Sequence, residues 1–89
     1  MVRMFVRHEV EDYGTWRKGY DEFGAKRGGL GVLGDTVCCA ADNPNDVTVT
    51  HDFESLDTAK AFVESADLKQ AMGAAGVKGQ PAIWFTNVV

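Results

Sequence analysis

The chain has 89 residues, 45% of them hydrophobic and 25% charged, and thirteen acidic side chains against nine basic ones leave a net charge of −4. One domain over residues 1–89 is expected, with a core small enough that a partner subunit would help to stabilise it. Nine dispersed Lys and Arg give no basic footprint for nucleic acid, the apolar runs are too short to span a membrane, and the start at Met1 has no signal-peptide core, so a soluble cytoplasmic protein without nucleic-acid or membrane partners is expected.

From Val2 to Val10 apolar and polar residues alternate, which predicts a first strand with Val2, Met4, Val6, His8 and Val10 on one face and Arg3, Phe5, Arg7 and Glu9 on the other. Asp12 then suits the cap of a helix whose Tyr13, Trp16, Tyr20, Phe23 and Arg27 recur at helical spacing, with Arg17 and Lys18 on the solvent side. Gly14, Gly19 and Gly24 each weaken that helix by about 1 kcal/mol relative to alanine, so packing must hold it. Gly28, Gly29 and Gly31 end it. A second strand is expected over Val32 to Ala41. Within it Cys38 and Cys39 point to opposite faces, which suits neither a disulfide framework nor a metal knuckle.

Asp42 to Asp46 reads as a turn closing a hairpin. The third strand, through Val47, Val49, His51 and Phe53 on one face and Thr48, Thr50 and Asp52 on the other, runs straight into a helix that Ser55 can cap. Leu56, Ala59, Phe62 and Val63 form its buried stripe. A break is expected near Ser65-Ala66, followed from Asp67 by a second segment with Leu68, Ala71, Met72 and Ala75 inside and Gly76 as its stop. The last strand is expected over Pro81 to Val89, with the proline at its entry; period two does not say which face Trp84 takes. This order of strand, helix, strand, strand, helix, strand leads to an α+β, ferredoxin-like βαββαβ arrangement: a four-stranded antiparallel sheet with helices on one face. The uncovered sheet face calls for a twin subunit.

The run from Val47 to Ser55, followed by Ala59, Phe62, the Ser65-Ala66 break and Leu68-Lys69-Gln70-Ala71-Met72, resembles the middle of the dimeric α/β-barrel superfamily, close to the antibiotic biosynthesis monooxygenase group. With the first strand and the aromatic helix the resemblance covers nearly the whole chain. It implies a homodimer and an uncharacterised activity drawn from a set that includes cofactor-free oxygenases of aromatic polyketides, polyketide cyclases, haem-degrading enzymes, muconolactone-isomerase-like enzymes and proteins with no known reaction. In the monooxygenase group the position of Phe53 is commonly tryptophan and that of His51 often glutamate, and this chain departs at both.

The expected site is a cavity between helices and sheet. His51 and His8 point into it from strands otherwise apolar on that face; a histidine so placed serves either as a hydrogen-bonded core residue or, when neutral, as a base toward a phenol or a β-dicarbonyl carbon. An estimated separation on the order of 10 Å speaks against a shared metal. Trp16, Tyr20 and Phe23 are explained by core packing, yet Trp16, Tyr20, Tyr13, Phe53 and Trp84 are also the groups that would bind an aromatic ligand, with Tyr13 or Tyr20 orienting His51. Arg3, Arg7, Glu9 and Asp52 belong to the expected subunit contact. There is no nucleophile motif, phosphate loop or metal-ligand spacing, and no cofactor is expected. Two functions remain: a cofactor-independent enzyme, monooxygenase or cyclase, with His51 as base and His8 as second polar group, or a non-catalytic ligand-binding or structural homodimer.

Overall fold

A computed structural model describes all residues 1–89. Strands β1 (Val2–Val10), β2 (Gly34–Ala40), β3 (Asn43–Phe53) and β4 (Val77–Asn87) form one antiparallel sheet in the order β2-β3-β1-β4. Two helical stretches cross it: α1 (Tyr13–Glu22) with α2 (Gly24–Gly29), and α3 (Leu56–Glu64) with α4 (Ala66–Ala74). Both lie over the face that carries Met4, Val6, Val49 and Phe53, so the fold is ferredoxin-like, as expected. No helix is long and apolar enough to cross a membrane.

Three of the four helices, α1, α3 and α4, start where a side chain can accept an otherwise free amide. Asp12 accepts from Thr15 N at 2.9 Å, and Ser55 accepts from Thr58 N at 3.3 Å. Ser65 ends α3 and caps α4 in one residue, its extended backbone turning the chain while Oγ accepts from Leu68 N at 3.5 Å. The break thus falls where the serine allowed it, with α4 starting one residue before the expected Asp67. The aromatic helix is broken as well: Phe23 closes α1 and starts α2 without a side-chain cap, beside Gly24, a poor helix former.

Two strands begin earlier than expected, each with a proline inside an irregular stretch of ladder. The expected turn over Asp42 to Asp46 is mostly strand: β3 starts at Asn43, and its pairing with β2 shifts between Cys39 and Ala40, leaving Pro44 in a bulge. Asn43 Oδ1 accepts from Asn45 N at 3.0 Å, and Asn45 Oδ1 accepts from Tyr13 N at 2.9 Å, which ties the bulge to the start of α1. Strand β4 starts at Val77, and Pro81 sits where its register against β1 shifts between Arg7 and Glu9, so no ladder donor is missed. Strand β2 is shorter than the expected Val32–Ala41: after Gly31 turns the chain at a φ of 96°, Val32 N still bonds back to the Arg27 carbonyl of α2, and regular pairing with β3 begins only at Gly34.

Pairing also settles Trp84. Phe5 lies opposite Trp84 and Val6 opposite Ile83, and direct cross-strand neighbours share a face. Trp84 therefore stacks on Phe5 over the uncovered face, ring centroids 5.2 Å apart and nearly parallel, and remains 43% exposed. Arg3 and Asp52 meet beside it through two hydrogen bonds of 2.8 and 3.2 Å, and Arg7 grips Asp46 at 3.0 and 2.7 Å. These pairs lie within one chain.

Candidate functional site

The buried apolar residues fall into two groups. One holds Val2, Met4, Val6, Phe23, Phe53, Ala59 and Phe62; the other holds Val10, Trp16, Val47, Val49 and Ala75. Between them runs a narrow cavity of about 60 Å³ walled by the sheet on one side and by α1, α2, α3 and α4 on the other. Thirteen of its seventeen lining residues are hydrophobic, Tyr20 included, and the other four are His8, His51, Arg27 and Gly19, the last as bare backbone. Gly19 lets α1 approach the end of α4 closely: a methyl group on it would stand 3.1 Å from Ala75 Cβ, so the neighbour would have to give by a few tenths of an ångström.

His51 is 5% exposed and His8 7%. Period two placed both inside, and the structure agrees: His51 lies opposite Met4 of β1 and Asp35 of β2, and His8 lies opposite Val47. Four rungs of ladder separate the imidazoles, about 13–14 Å at ~3.4 Å per residue, farther than the expected 10 Å. His51 packs against Phe62, centroids 5.2 Å apart, and His8 against Trp16 at 5.5 Å. None of the four ring nitrogens has a hydrogen-bond partner within the chain. A buried polar atom left unmatched costs about 1–3 kcal/mol, which makes these positions places for a polar ligand atom or water.

Burial disfavours the charged imidazole. It lowers the pKa of His51 from 6.5 to about 4, helped by the positive field of Arg27 and opposed by Asp35 and Asp52. His8 is also lowered, by burial, with Asp46 pulling weakly the other way. Both rings are neutral at pH 7.

At one flank of the cavity stands a polar group that sequence reasoning had not assembled. Tyr20 donates its hydroxyl to Asp35, and Arg27 lies over the Tyr20 ring with its guanidinium carbon 3.7 Å from the centroid. Arg27 also donates to the Tyr20 carbonyl and approaches Asp35 at 4.0 Å. Burial and the bond to Asp35 raise the Tyr20 pKa, so its hydroxyl stays protonated. Tyr20 is therefore committed to Asp35 and makes no hydrogen bond to His51, contrary to the expected orienting role. The signal for Asp35 was the alternation of β2, which puts it on the side of Val37; only the register, Asp35 against His51, shows its neighbour.

Of the residues expected to bind an aromatic ligand, Trp16 and Tyr20 do line the cavity and stack on each other, centroids 4.9 Å apart. Phe53 does not. It is fully buried behind His51 and Phe62 and supports the wall instead of forming it. Tyr13 packs on the far side of Trp16, 6.0 Å between centroids, outside the lining. Trp84 is on the opposite face of the sheet, for the reason of register given above. Phe62, Leu68 and Met72, read from the sequence only as helix core, complete the wall.

No protein-family model matches the chain, and no curated protein sequence matches it. Solved structures do. A Bordetella bronchiseptica protein named as a candidate antibiotic biosynthesis monooxygenase superposes with a TM-score of 0.86 at 16% identity, over 99% of this chain and 96% of the other. SnoaB, a cofactor-independent oxygenase from Streptomyces nogalater, gives 0.81 at 12% identity, over 99% and 92%. A monooxygenase from the gene ActVA-Orf6 of Streptomyces coelicolor, solved with the ligand nanaomycin D, gives 0.72 at 21% identity, over 99% and 87%. At such identities the likeness concerns fold, and function has to be argued from the site. The chain has the ferredoxin-like fold of structures of the antibiotic biosynthesis monooxygenase type, the group its sequence resembles.

Proposed function

We propose that this chain is a cofactor-independent enzyme acting on an aromatic or polyketide-like substrate, as a monooxygenase or, alternatively, a cyclase. The observation that carries the proposal is the pair of buried imidazoles whose four nitrogens find no partner in an otherwise apolar cavity. A histidine kept for packing would be hydrogen bonded; one left unmatched is available to a ligand. In this reading His51 takes a proton from a carbon activated by a carbonyl and an aromatic ring, His8 meets a second polar atom, and Trp16 and Tyr20 contact the ring face. A base with a pKa of about 4 is weak, so the enolate formed must remain beside the imidazolium as an ion pair. The enolate then delivers its own electrons to oxygen: a CH2 group and O2 become C=O and H2O, with no other reductant. The names of SnoaB and of the nanaomycin-bound monooxygenase support this chemistry by analogy.

The proposal includes a second copy of the chain on the uncovered sheet face, which would close a dimeric α/β barrel. Its support is the exposed Phe5–Trp84 stack and a hydrophobic core of only twelve buried residues in the single chain. The narrowness of the cavity favours a second reading, a non-catalytic binder of a small planar ligand, since drug-sized sites run to a few hundred Å³. Oxygen uptake with a hydroxyanthrone, whose ring CH2 lies between two aromatic rings, separates the two. The enzyme reading expects one O2 consumed per quinone formed, faster than in buffer and without added metal or flavin. Binding without acceleration would select the non-catalytic reading.

A further inference from the structure

Proton abstraction leaves one charge in the cavity wall without a task. Arg27 lines the cavity and its side chain is only 12% exposed. A guanidinium has five N–H donors in one plane. The structure gives Arg27 one hydrogen bond, to the Tyr20 carbonyl, and one ion-pair contact, to Asp35 at 4.0 Å, which is beyond hydrogen-bond reach. The same Asp35 oxygen already accepts the Tyr20 hydroxyl. The Tyr20 ring, 3.7 Å from the guanidinium carbon, covers one side of the group, and the single hydrogen bond to the Tyr20 carbonyl leaves further N–H donors for an acceptor in the cavity.

We infer that the ligand of this cavity is a planar aromatic anion, bearing a carboxylate or phenolate oxygen, and that Arg27 is the residue that selects it. The inference rests on the reading of the cavity as an aromatic-ligand site and names the charge of that ligand. An inorganic anion would satisfy Arg27 but leave the apolar walls of Trp16, Phe23 and Phe62 unmatched. A neutral aromatic would do the reverse. An anion beside Arg27 would also screen the field that now disfavours a proton on His51, so binding would make the ring a stronger base.

The test is isothermal titration of the full chain near pH 7 with 2-naphthoate and with 2-naphthylmethanol, which share a ring system and differ in charge. We expect the carboxylate to bind at least about tenfold more tightly, as charge-assisted hydrogen bonds imply. Arg27→Gln should abolish the difference while changing the affinity for the alcohol less than about twofold. Should that variant fail to fold, Arg27→Met, whose apolar chain suits the wall, serves for the same comparison. Equal affinities in the unaltered protein, or a preference that survives loss of Arg27, would overturn the inference while leaving the aromatic site intact. Failure of both naphthalenes to bind would overturn the inference together with the reading of the cavity on which it rests.

Discussion

His51 and His8 stay neutral because the cavity around them offers almost nothing to solvate an imidazolium, and that has a cost at acid pH. In the unfolded chain a histidine takes its proton near pH 6.5; folded His51 resists protonation down to about 4. The unfolded state therefore binds more protons between those values, and stability that is full above pH 6.5 falls as the pH drops toward 4. His51 alone accounts for about 3 kcal/mol over that window, and His8 adds to it in the same direction. We expect urea melts at pH 7 and pH 5 to show this loss, and His51→Gln, which cannot titrate, to flatten the curve; an unchanged slope in the variant would place the acid sensitivity elsewhere. The carboxylates of Asp46 and Asp52, held low by Arg7 and Arg3, lose their pairs only below the ordinary carboxylate range, so the two effects separate on the pH axis. Both histidines were legible in the sequence because period two needs only one strand. Arg27 was legible as part of a helical stripe, but its meeting with Asp35 depends on how α2 lies against β2, which no local pattern encodes.

At the scale of elements, local chemistry fixed the starts of helices better than the starts of strands. Asp12, Ser55 and Ser65 each sit where a free amide must be met; Asp12 and Ser55 are legible as caps from the sequence, whereas Ser65 reads there only as a break. Ser55→Ala should cost about 1 kcal/mol in stability by chemical denaturation, since Thr58 N loses its acceptor. The strands β3 and β4 extend through prolines that read as turn or boundary, because a bulge removes the ladder position where a proline would fail. That accommodation depends on the partner strand and is invisible from one segment. Gly31 joins α2 to β2 at a φ of 96°, and a methyl group there would meet Thr58 Cγ2 of α3 at 2.6 Å. Gly31→Ala should destabilise by about 1–3 kcal/mol, and the double variant with Thr58→Ser should recover only the part due to the clash, leaving the backbone strain. Full recovery would show that the strain contributes nothing.

For the molecule as a whole, a sheet covered on one side only leaves the Phe5–Trp84 stack facing outward, flanked by Arg3–Asp52 and Arg7–Asp46. If a second copy covers this face, Trp84→Arg puts a charge into the middle of the contact and should shift sedimentation from dimer to monomer at micromolar concentration. A variant that sediments as the unaltered chain does would exclude this face as the contact. Face assignment of Trp84 was the one point of architecture that alternation left open, and it was the register of β4 against β1 that settled it. The architecture itself followed from the order of elements, whereas the activity does not follow from the architecture. In the proposed reading it turns on His51, whose ring stands between the apolar walls with both nitrogens unmatched. The measurement that bears on this most directly is the rate of hydroxyanthrone oxidation by His51→Gln, with its melting curve and sedimentation taken alongside. If His51 is the base, the variant folds and assembles as the unaltered protein does and turns over about 10²–10⁴-fold more slowly. Full activity in a folded His51→Gln would contradict it.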